Sequence, residues 1–313
     1  MIQVFLALSL CADWSPRLAA DYLDGRQKEW FQWKTAQTAG GPCVSCHTGV
    51  TYLIARPELR RKLGETQPTA YETGLLQTLR SPGFGGAFLK EPLADQTAGV
   101  QTIHSALFLK EEAALDHLWS LQIREGADKG AWKWFHLDLD PWEMPQSTFY
   151  GATLAAMAVD RASDEHKTKH RDQIAMLADY LKREQASQPL HNLLMLLWAM
   201  PEIADKKALI RETLKLQQAD GGWSVESLGP WKRVPRSKGS DAYATAFAAY
   251  VLEKSGHRSK EAINWLKTHQ NREYGFWASE SMNKEYPADS MMAKFMQDAA
   301  TGFAVLALLE NEH

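Results

Sequence analysis

The strongest chemical signal in the sequence is a pair of cysteines followed at once by a histidine. Cys43 and Cys46 are two of only three cysteines in the chain, and His47 completes the sequence C-x-x-C-H. A disulfide over this spacing would close too short a loop to stabilise the fold much. A thioredoxin-like redox pair would need a βαβ setting, and zinc would need more Cys or His ligands nearby. The next histidine after His47 is His104, so the local set of zinc ligands is incomplete.

Covalent attachment of haem uses all three residues of this sequence. In c-type haem the two thiols add to the haem vinyl groups, and the neighbouring imidazole becomes an axial ligand of the iron. We therefore predict haem c bound by Cys43, Cys46 and His47, with a structural or redox C-x-x-C as the alternative.

The predicted iron needs a second axial ligand unless it stays five-coordinate. Cytochromes c commonly use methionine, but the chain has no methionine between Met1 and Met144. The favoured candidate is His104, and His136 and Met144 are the others. Because all three lie far along the chain, we expect the haem segment to pack on the rest of the protein.

The first residues resemble a secretory signal. An apolar run from Ile2 to Leu10 is followed by small residues near Cys11, although a basic region before the run is missing. The run is too short to span a bilayer, and a buried first strand or helix turn is the alternative. We predict residues 1–12 to be a signal remnant of a periplasmic or otherwise exported protein, which suits haem c. No transmembrane segment is predicted.

Composition excludes one class of partner and favours another. The net charge of -3 leaves no basic surface for nucleic acid. Twelve Trp beside nine Tyr and eleven Phe indicate a large core, or a cavity for an apolar ligand.

From about residue 70 the sequence repeats a pair of helices. An amphipathic stretch, a Gly/aromatic turn and a more apolar helix follow one another, as in "LKLQQADGGWS" and then "SDAYATAFAAYVLEKSG". The apolar helices share A-T-x-F/A-A, centred on Thr153, Thr245 and Thr301. Such a period with two helices per unit predicts a helical array or ring.

The turns resemble the Q-x-x-x-G-x-W repeat of squalene–hopene cyclases over roughly residues 70–313. The resemblance implies the α/α toroid shared by triterpene cyclases and protein prenyltransferase β subunits, with the A-T-x-F/A-A helices as its inner ring. We therefore predict an all-α protein: a toroid of five or six helical hairpins over 66–313, and a small cytochrome c-like helical segment over 13–65. The repeat residues are Gln122, Gly130 and Trp132, then Gln217, Gly221 and Trp223, then Gln270, Gly275 and Trp277.

The same resemblance points to an acid. Squalene–hopene cyclases protonate their substrate with D-x-D-D, and this chain has Asp138 and Asp140 but Pro141 in place of the last Asp. These two aspartates are the catalytic candidates, with a structural loop as the alternative and the expected outcome. Asp241 and Asp298, at the start of inner helices, are predicted to be N-caps.

Two functions follow. The favoured one is an exported c-type haem protein in which the toroid is a binding or docking scaffold and the iron transfers electrons with a redox partner. The alternative is a toroid enzyme, a cyclase or haem-assisted oxidase, acting on an apolar isoprenoid-like substrate. The aromatic cluster from Trp132 to Trp142 is predicted to be cavity wall in either case.

Overall fold

The computed structural model describes residues 14–81, 93–232 and 239–312, and in these ranges the predicted all-α class is confirmed. The only sheet there is an antiparallel pair, β1 (Gln37–Thr38) and β2 (Gly41–Pro42). The apolar run of residues 2–10 and Cys11, on which the signal prediction depends, lie outside the described residues. The helices are α1 (Pro16–Gln32), α2 (Gly49–Lys62), α3 (Ala70–Arg80), α4 (Ala94–Leu109), α5 (Glu112–Ser120), α6 (Ser147–Asp160), α7 (Asp164–Lys169), α8 (Arg171–Glu184), α9 (Leu190–Ala199), α10 (Lys206–Lys215), α11 (Ala242–Lys254), α12 (Lys260–His269) and α13 (Phe295–Asn311).

The helices are of two kinds, as the repeat predicts. α6 buries every residue from Ser147 to Val159, and α11 buries every residue from Ala242 to Glu253. A helix that is apolar on all sides has to be buried on all sides. In contrast, α8, α10 and α12 bury one face only and expose their charged residues. Buried and amphipathic helices therefore alternate along the chain.

The buried helices pack on one another in succession. α4 packs on α6, α6 on α9, α9 on α11 and α11 on α13, and α13 packs on α1 and α2. One hydrophobic core runs through all of them, from Trp14 to Leu309. The segment that carries C-x-x-C-H therefore shares its core with the repeats.

Six of these helices run in the same direction. The C-terminal turns of α2, α4, α6, α9, α11 and α13 all line one cavity of about 870 Å³. At the opposite end, N-terminal residues of these helices contact one another: His191 of α9 binds Tyr243 of α11, and Phe295 of α13 stacks on His47, just before α2. The C-x-x-C-H loop lies at that opposite end, because it leads into α2.

The turns of the repeat make the same hydrogen bonds in each copy. The Gln side chain donates to the carbonyl of the repeat Gly, whose positive φ a Cβ would disfavour. The Trp indole donates to a carbonyl in the last turn of the preceding helix, so Trp rather than Gln caps that helix. The Gln bonds are Gln122 to Gly130 (3.0 Å), Gln217 to Gly221 (2.8 Å) and Gln270 to Gly275 (3.0 Å). The Trp bonds are Trp132 to Leu118 (2.7 Å), Trp223 to Thr213 (2.7 Å) and Trp277 to Leu266 (2.8 Å).

The same Gln side chains also bind the next amphipathic helix. Gln122 donates to the Gln173 carbonyl in α8 at 2.9 Å, and Gln217 donates to Ser259, the N-cap of α12, at 3.1 Å. The last copy has no later helix, and Gln270 donates instead to the carbonyl of Ser15, the N-cap of α1, at 3.0 Å. The first helix therefore takes the place of the next one.

Of the two predicted N-caps, one is confirmed and one is wrong. Asp241 caps α11 and accepts from the backbone N–H groups of Tyr243 and Ala244. Asp298 instead lies within the first turn of α13, whose N-cap is Lys294. Its carboxylate accepts hydrogen bonds from side chains of α1 and from Thr48.

One stretch, Met292–Asn311, is long and apolar enough to cross a membrane, but most of it is buried inside the protein. It contains α13, which packs on α11 and α2.

Candidate functional site

The C-x-x-C-H loop is held rigidly between β2 and α2. The backbone N–H of Cys43 donates to the Ala36 carbonyl at 2.8 Å, and the Trp30 indole donates to the Cys43 carbonyl at 2.8 Å. The Ser45 hydroxyl accepts from the backbone N–H groups of Thr48 and Gly49, each at 3.2 Å. Ser45 thus satisfies the start of α2 in the way that an N-cap usually does.

Both thiols are unbridged and desolvated. Cys46 is buried and Cys43 is partly exposed. Burial raises the pKa of Cys43 to about 12 and raises the pKa of Cys46 well above its usual value; nearby Glu143 adds to both shifts. Reactive redox cysteines have lowered pKa values, so this environment does not suit a thioredoxin-like pair.

The His47 ring is fixed by aromatic neighbours. It stacks on Phe295 with ring centroids 3.6 Å apart, and Trp30 meets it edge-on at 5.5 Å. Burial lowers the pKa of His47 to about 3, with a further contribution from the charge of Arg26. The ring is therefore neutral at ordinary pH, with a lone pair on one nitrogen.

Hydrogen bonds show which nitrogen carries that lone pair. His47 Nδ1 lies 2.8 Å from Thr48 Oγ1 and 3.4 Å from the Ser45 hydroxyl, so Thr48 is its closer partner. The Thr48 hydroxyl donates to Asp298 Oδ2 at 2.8 Å. Because the hydroxyl proton is used in that bond, the Thr48 oxygen has to accept from Nδ1–H. Nε2 is left with the lone pair, and it makes no hydrogen bond among the described residues. The lone pair lies in the ring plane, so the Phe295 stacked on the ring face does not block it.

Asp298 is buried and closely surrounded by donors. Arg26 donates to both of its oxygens, from Nε at 2.7 Å and from the second guanidinium nitrogen at 3.1 Å. The Tyr22 hydroxyl donates to Oδ1 at 2.8 Å. Burial raises the pKa of Asp298, and the charge of Arg26 opposes that shift. Because it is paired with Arg26, the carboxylate can stay ionised and accept the hydrogen bond from the Thr48 hydroxyl.

His104 lies beside the C-x-x-C-H loop although 57 residues separate it from His47. Its ring is fully buried on α4, and neither nitrogen makes a well-formed hydrogen bond within the described ranges. Burial lowers the pKa of His104 to about 4, and a weak hydrogen bond with the backbone of Val44, between the two cysteines, opposes the shift. The Trp134 ring meets it edge-on at 5.9 Å. A neutral imidazole, with a lone pair on one of its nitrogens, is thus placed at the predicted haem segment.

Of the other two candidate axial ligands, one has a side-chain partner. His136 is exposed, and its Nε2 lies 3.1 Å from the Thr148 hydroxyl. Met144 is bonded through its backbone, whose N–H donates to Ser147 at 2.9 Å at the start of α6.

The two aspartates of the acid motif are held in loop contacts. Asp138 is exposed, has a positive φ of 65 degrees and forms an ion pair with Lys232. Asp140 is buried, which raises its pKa, and its Oδ2 accepts from the Lys232 backbone N–H at 2.9 Å. Asn283 binds the backbone N–H and carbonyl of Asp140 at 2.7 and 3.0 Å. These contacts match the loop alternative.

A carboxyl that sequence reasoning missed lies closer to the cysteines. Burial raises the pKa of Glu143 to about 7, and its charge acts on Cys43, Cys46 and Tyr150. The Glu143 side chain makes no hydrogen bond or ion pair with any other described residue. No motif marks this glutamate; only its place between Trp142 and Met144, in an aromatic-rich loop, gives any signal.

The tryptophans of the predicted aromatic cluster lie in two places, the repeat turn and the site around His47 and His104. Trp132 belongs to the repeat turn and packs on Trp119 at 5.9 Å. Trp142 lies 6.3 Å from His47 and 5.6 Å from Tyr243, and Trp134 contacts His104. The site therefore has an aromatic wall of which Trp132 is not a part.

A second group of polar side chains lies elsewhere, on α5, α7 and the start of α8. Asp116, His166 and His170 are close enough together to hold a metal ion. However, His166 Nε2 accepts from the Trp119 indole at 2.8 Å, and Nδ1 lies 2.6 Å from Glu112. Both ring nitrogens of His166 are thus used in hydrogen bonds, so we assign this group a structural role.

Comparison with protein-family models and with curated proteins finds no match to this chain. Its function therefore rests on the geometry of the site around Cys43, Cys46 and His47.

Proposed function

We propose that the chain is a c-type haem protein, with Cys43 and Cys46 thioether-bonded to haem and His47 as an axial ligand. The observation that carries this proposal is the contact of His47 Nδ1 with Thr48, from which the tautomer follows. The bond to Thr48 fixes the proton on Nδ1 and leaves the Nε2 lone pair free beside two unbridged thiols. A haem ligand needs that arrangement.

The environment of the cysteines suits thioethers. A thiol buried here stays protonated, because desolvation disfavours the thiolate. Once alkylated, each sulfur has no charge to desolvate, and a buried, aromatic-lined place then stabilises it. Haem bound here would supply one-electron chemistry, while the chain fixes the orientation of its His47 ligand and excludes water with Phe295 and Trp30.

We assign the second axial position to His104. Buried polar atoms normally have hydrogen-bond partners. Apart from a weak bond with the Val44 backbone, the His104 nitrogens have none among the described residues. Coordination to iron would give one of them a partner. His136, in contrast, already faces Thr148.

The scaffold of this site is, in our proposal, a closed α/α toroid. Two observations support closure: six helices direct their C-terminal turns to one cavity, and Gln270 binds α1 as earlier repeat Gln residues bind the next helix. The cytochrome c-like segment of 13–65 would then supply the first hairpin of the ring. Export to the periplasm and exchange of electrons with a redox partner belong to the same proposal.

The test is production of the full-length protein with periplasmic haem-maturation machinery, followed by a pyridine haemochrome spectrum. We expect a c-type spectrum that survives denaturation and acid extraction. The double change Cys43→Ser and Cys46→Ser should abolish covalent haem, whereas Cys11→Ser, at the third cysteine, should not. A colourless wild-type protein under these conditions would contradict the proposal.

An alternative function is favoured by Glu143. A desolvated carboxyl with a pKa of about 7, close to Trp142 and Tyr150, suits a proton donor in a toroid enzyme acting on an apolar isoprenoid-like substrate. Incubation with squalene or shorter polyprenes, followed by mass spectrometry, separates the cases. Product lost in Glu143→Gln but kept in Asp140→Asn would support this enzyme, and no product from the wild type would rule against it.

A further inference from the structure

We propose that Thr48 and Asp298 are positioning residues that make His47 Nε2 electron-rich and so lower the reduction potential of the bound iron. The statement about iron rests on the proposed haem function. The statement about the imidazole does not, because the chain His47 Nδ1–H, Thr48 Oγ1–H, Asp298 Oδ2 is formed by protein atoms alone.

The hydroxyl of Thr48 does not make the hydrogen bond that is usual at its position in the helix. It is the N-cap residue of α2, where a threonine hydroxyl ordinarily accepts from backbone N–H groups of the first turn. Here the Thr48 side chain makes no capping bond, and Ser45 does that work instead. The Thr48 hydroxyl is thereby free to join the imidazole to the carboxylate.

The Asp298 carboxylate is held in the orientation that this chain of hydrogen bonds needs. Arg26 binds both of its oxygens and Tyr22 binds one, so the carboxylate cannot turn away from Thr48. Tyr22 and Arg26 lie on α1 while Asp298 lies on α13, so the relay also joins the first and last helices. All of these groups are buried or nearly so, and a low local dielectric strengthens hydrogen bonds that are aligned in series.

The chemical consequence follows from the direction of the bonds. A hydrogen bond from the far nitrogen of a ligating imidazole to a carboxylate raises the basicity of the ligand. In this chain the hydroxyl of Thr48 transmits the effect, since it donates to Asp298 and accepts from His47. A more basic ligand stabilises the oxidised, more positive iron, and the reduction potential falls.

The chain offers a matched pair of variants for the test. Thr48→Val keeps the shape of the side chain and removes the relay. Thr51→Val makes the same change one turn later in α2, where the hydroxyl donates to the His47 backbone carbonyl at 2.6 Å and not to its ring. Asp298→Asn is a third variant, but it leaves Arg26 without its carboxylate and is more at risk of not folding.

The primary measurement is the midpoint potential of the haem-loaded protein by spectroelectrochemistry. We expect Thr48→Val to favour the reduced form by roughly tenfold, an upward shift of about 59 mV for one electron. Thr51→Val should stay close to the wild type. Equal potentials in the wild type and Thr48→Val would overturn the proposal, as would equal shifts in Thr48→Val and Thr51→Val.

A second measurement works without haem. The nitrogen-15 shifts of His47 in the full-length chain, produced without maturation machinery, report its tautomer. We expect Nδ1–H in the wild type and in Thr51→Val, and a mixture of tautomers in Thr48→Val. A wild-type His47 protonated on Nε2 would overturn the relay even if haem binds. If His47 carries Nδ1–H but the wild type stays colourless when it is produced with maturation machinery, only the haem function is overturned.

Discussion

A buried imidazole that lacks a good hydrogen-bond partner costs folding free energy, and His104 is such a residue. An unsatisfied buried polar group costs about 1–3 kcal/mol, and the lowered pKa of His104 shows that its environment disfavours charge as well. A chain selected only for stability would carry an apolar side chain here. The cost is understandable if one His104 nitrogen acquires a partner in the working protein.

His104→Leu should have opposite effects on the two forms of the protein. In the chain without haem, the change should raise the free energy of unfolding in urea by about 1–2 kcal/mol, because it removes a buried nitrogen that lacks a good hydrogen-bond partner. In the haem-loaded protein, the same change should remove the low-spin absorption spectrum. His191→Leu is the control, since its ring is equally buried but bonded to Tyr243 at 2.8 Å, and it should destabilise the chain. A destabilised His104→Leu would show that the wild-type ring has a structural partner.

Glu143 makes stability depend on pH in a direction opposite to that of most carboxylates. Its pKa is about 7 in the folded chain against 4.5 for an ordinary glutamate. Between these pH values the folded chain keeps a proton that the unfolded chain has released, so the free energy of unfolding falls as pH rises, by up to about 1.4 kcal/mol per pH unit. In the chain without haem, Glu143→Gln should remove this contribution, so that the slope of unfolding free energy against pH is more positive than in the wild type between pH 4.5 and 7, by up to about 1.4 kcal/mol per pH unit. The lowered pKa values of His47 and His104 act in the opposite direction but are common to both proteins. Glu125→Gln, at an exposed position, should keep the wild-type slope. An unchanged slope in Glu143→Gln would mean that other groups cause the dependence.

At the scale of helices, the repeat made much of the structure predictable. Periodicity and the Q-x-x-x-G-x-W turns predict the alternation of amphipathic and buried helices, because each turn is stabilised by residues close in sequence. Trp223, for example, caps a carbonyl only ten residues earlier in the chain. Local bonds of this kind leave a local sequence signal.

The contacts that build the site leave no such signal. Asp298 reads locally as an N-cap, but its partner Arg26 lies 272 residues away in α1. Asp140 reads as part of an acid motif, yet a backbone N–H 92 residues away binds its side chain. Glu143 belongs to no motif at all. Sequence spacing could therefore name Cys43, Cys46 and His47 as one group, but only tertiary packing adds Thr48, Asp298 and Glu143.

At the scale of the whole molecule, the arrangement of helices unites the site with the scaffold. The relay to His47 joins α1, α2 and α13, which are the first two helices and the last. The last repeat turn also contacts α1, through the bond from Gln270 to Ser15. If the proposed ring closes at this contact, weakening the contact should also loosen the position of His47.

Gly275 is the residue at which to test this coupling. A Cβ added there would come within 2.2 Å of the Leu18 backbone in α1, whereas at Gly64, which also has a positive φ, it would meet nothing within 4 Å. Both Gly→Ala changes carry the cost of a left-handed backbone, about 1–2 kcal/mol, so the difference between them isolates the contact with α1. We expect Gly275→Ala to lower the free energy of unfolding by at least about 1 kcal/mol more than Gly64→Ala, because backbone atoms have to move apart. Hydrogen exchange should also become faster in α1 and α13 in this variant, and not in Gly64→Ala. Equal losses of stability with unchanged exchange would mean that α1 does not close the ring. If stability is lost only in the turn and the His47 tautomer is unchanged, the contact of Gly275 with α1 is not needed to position His47.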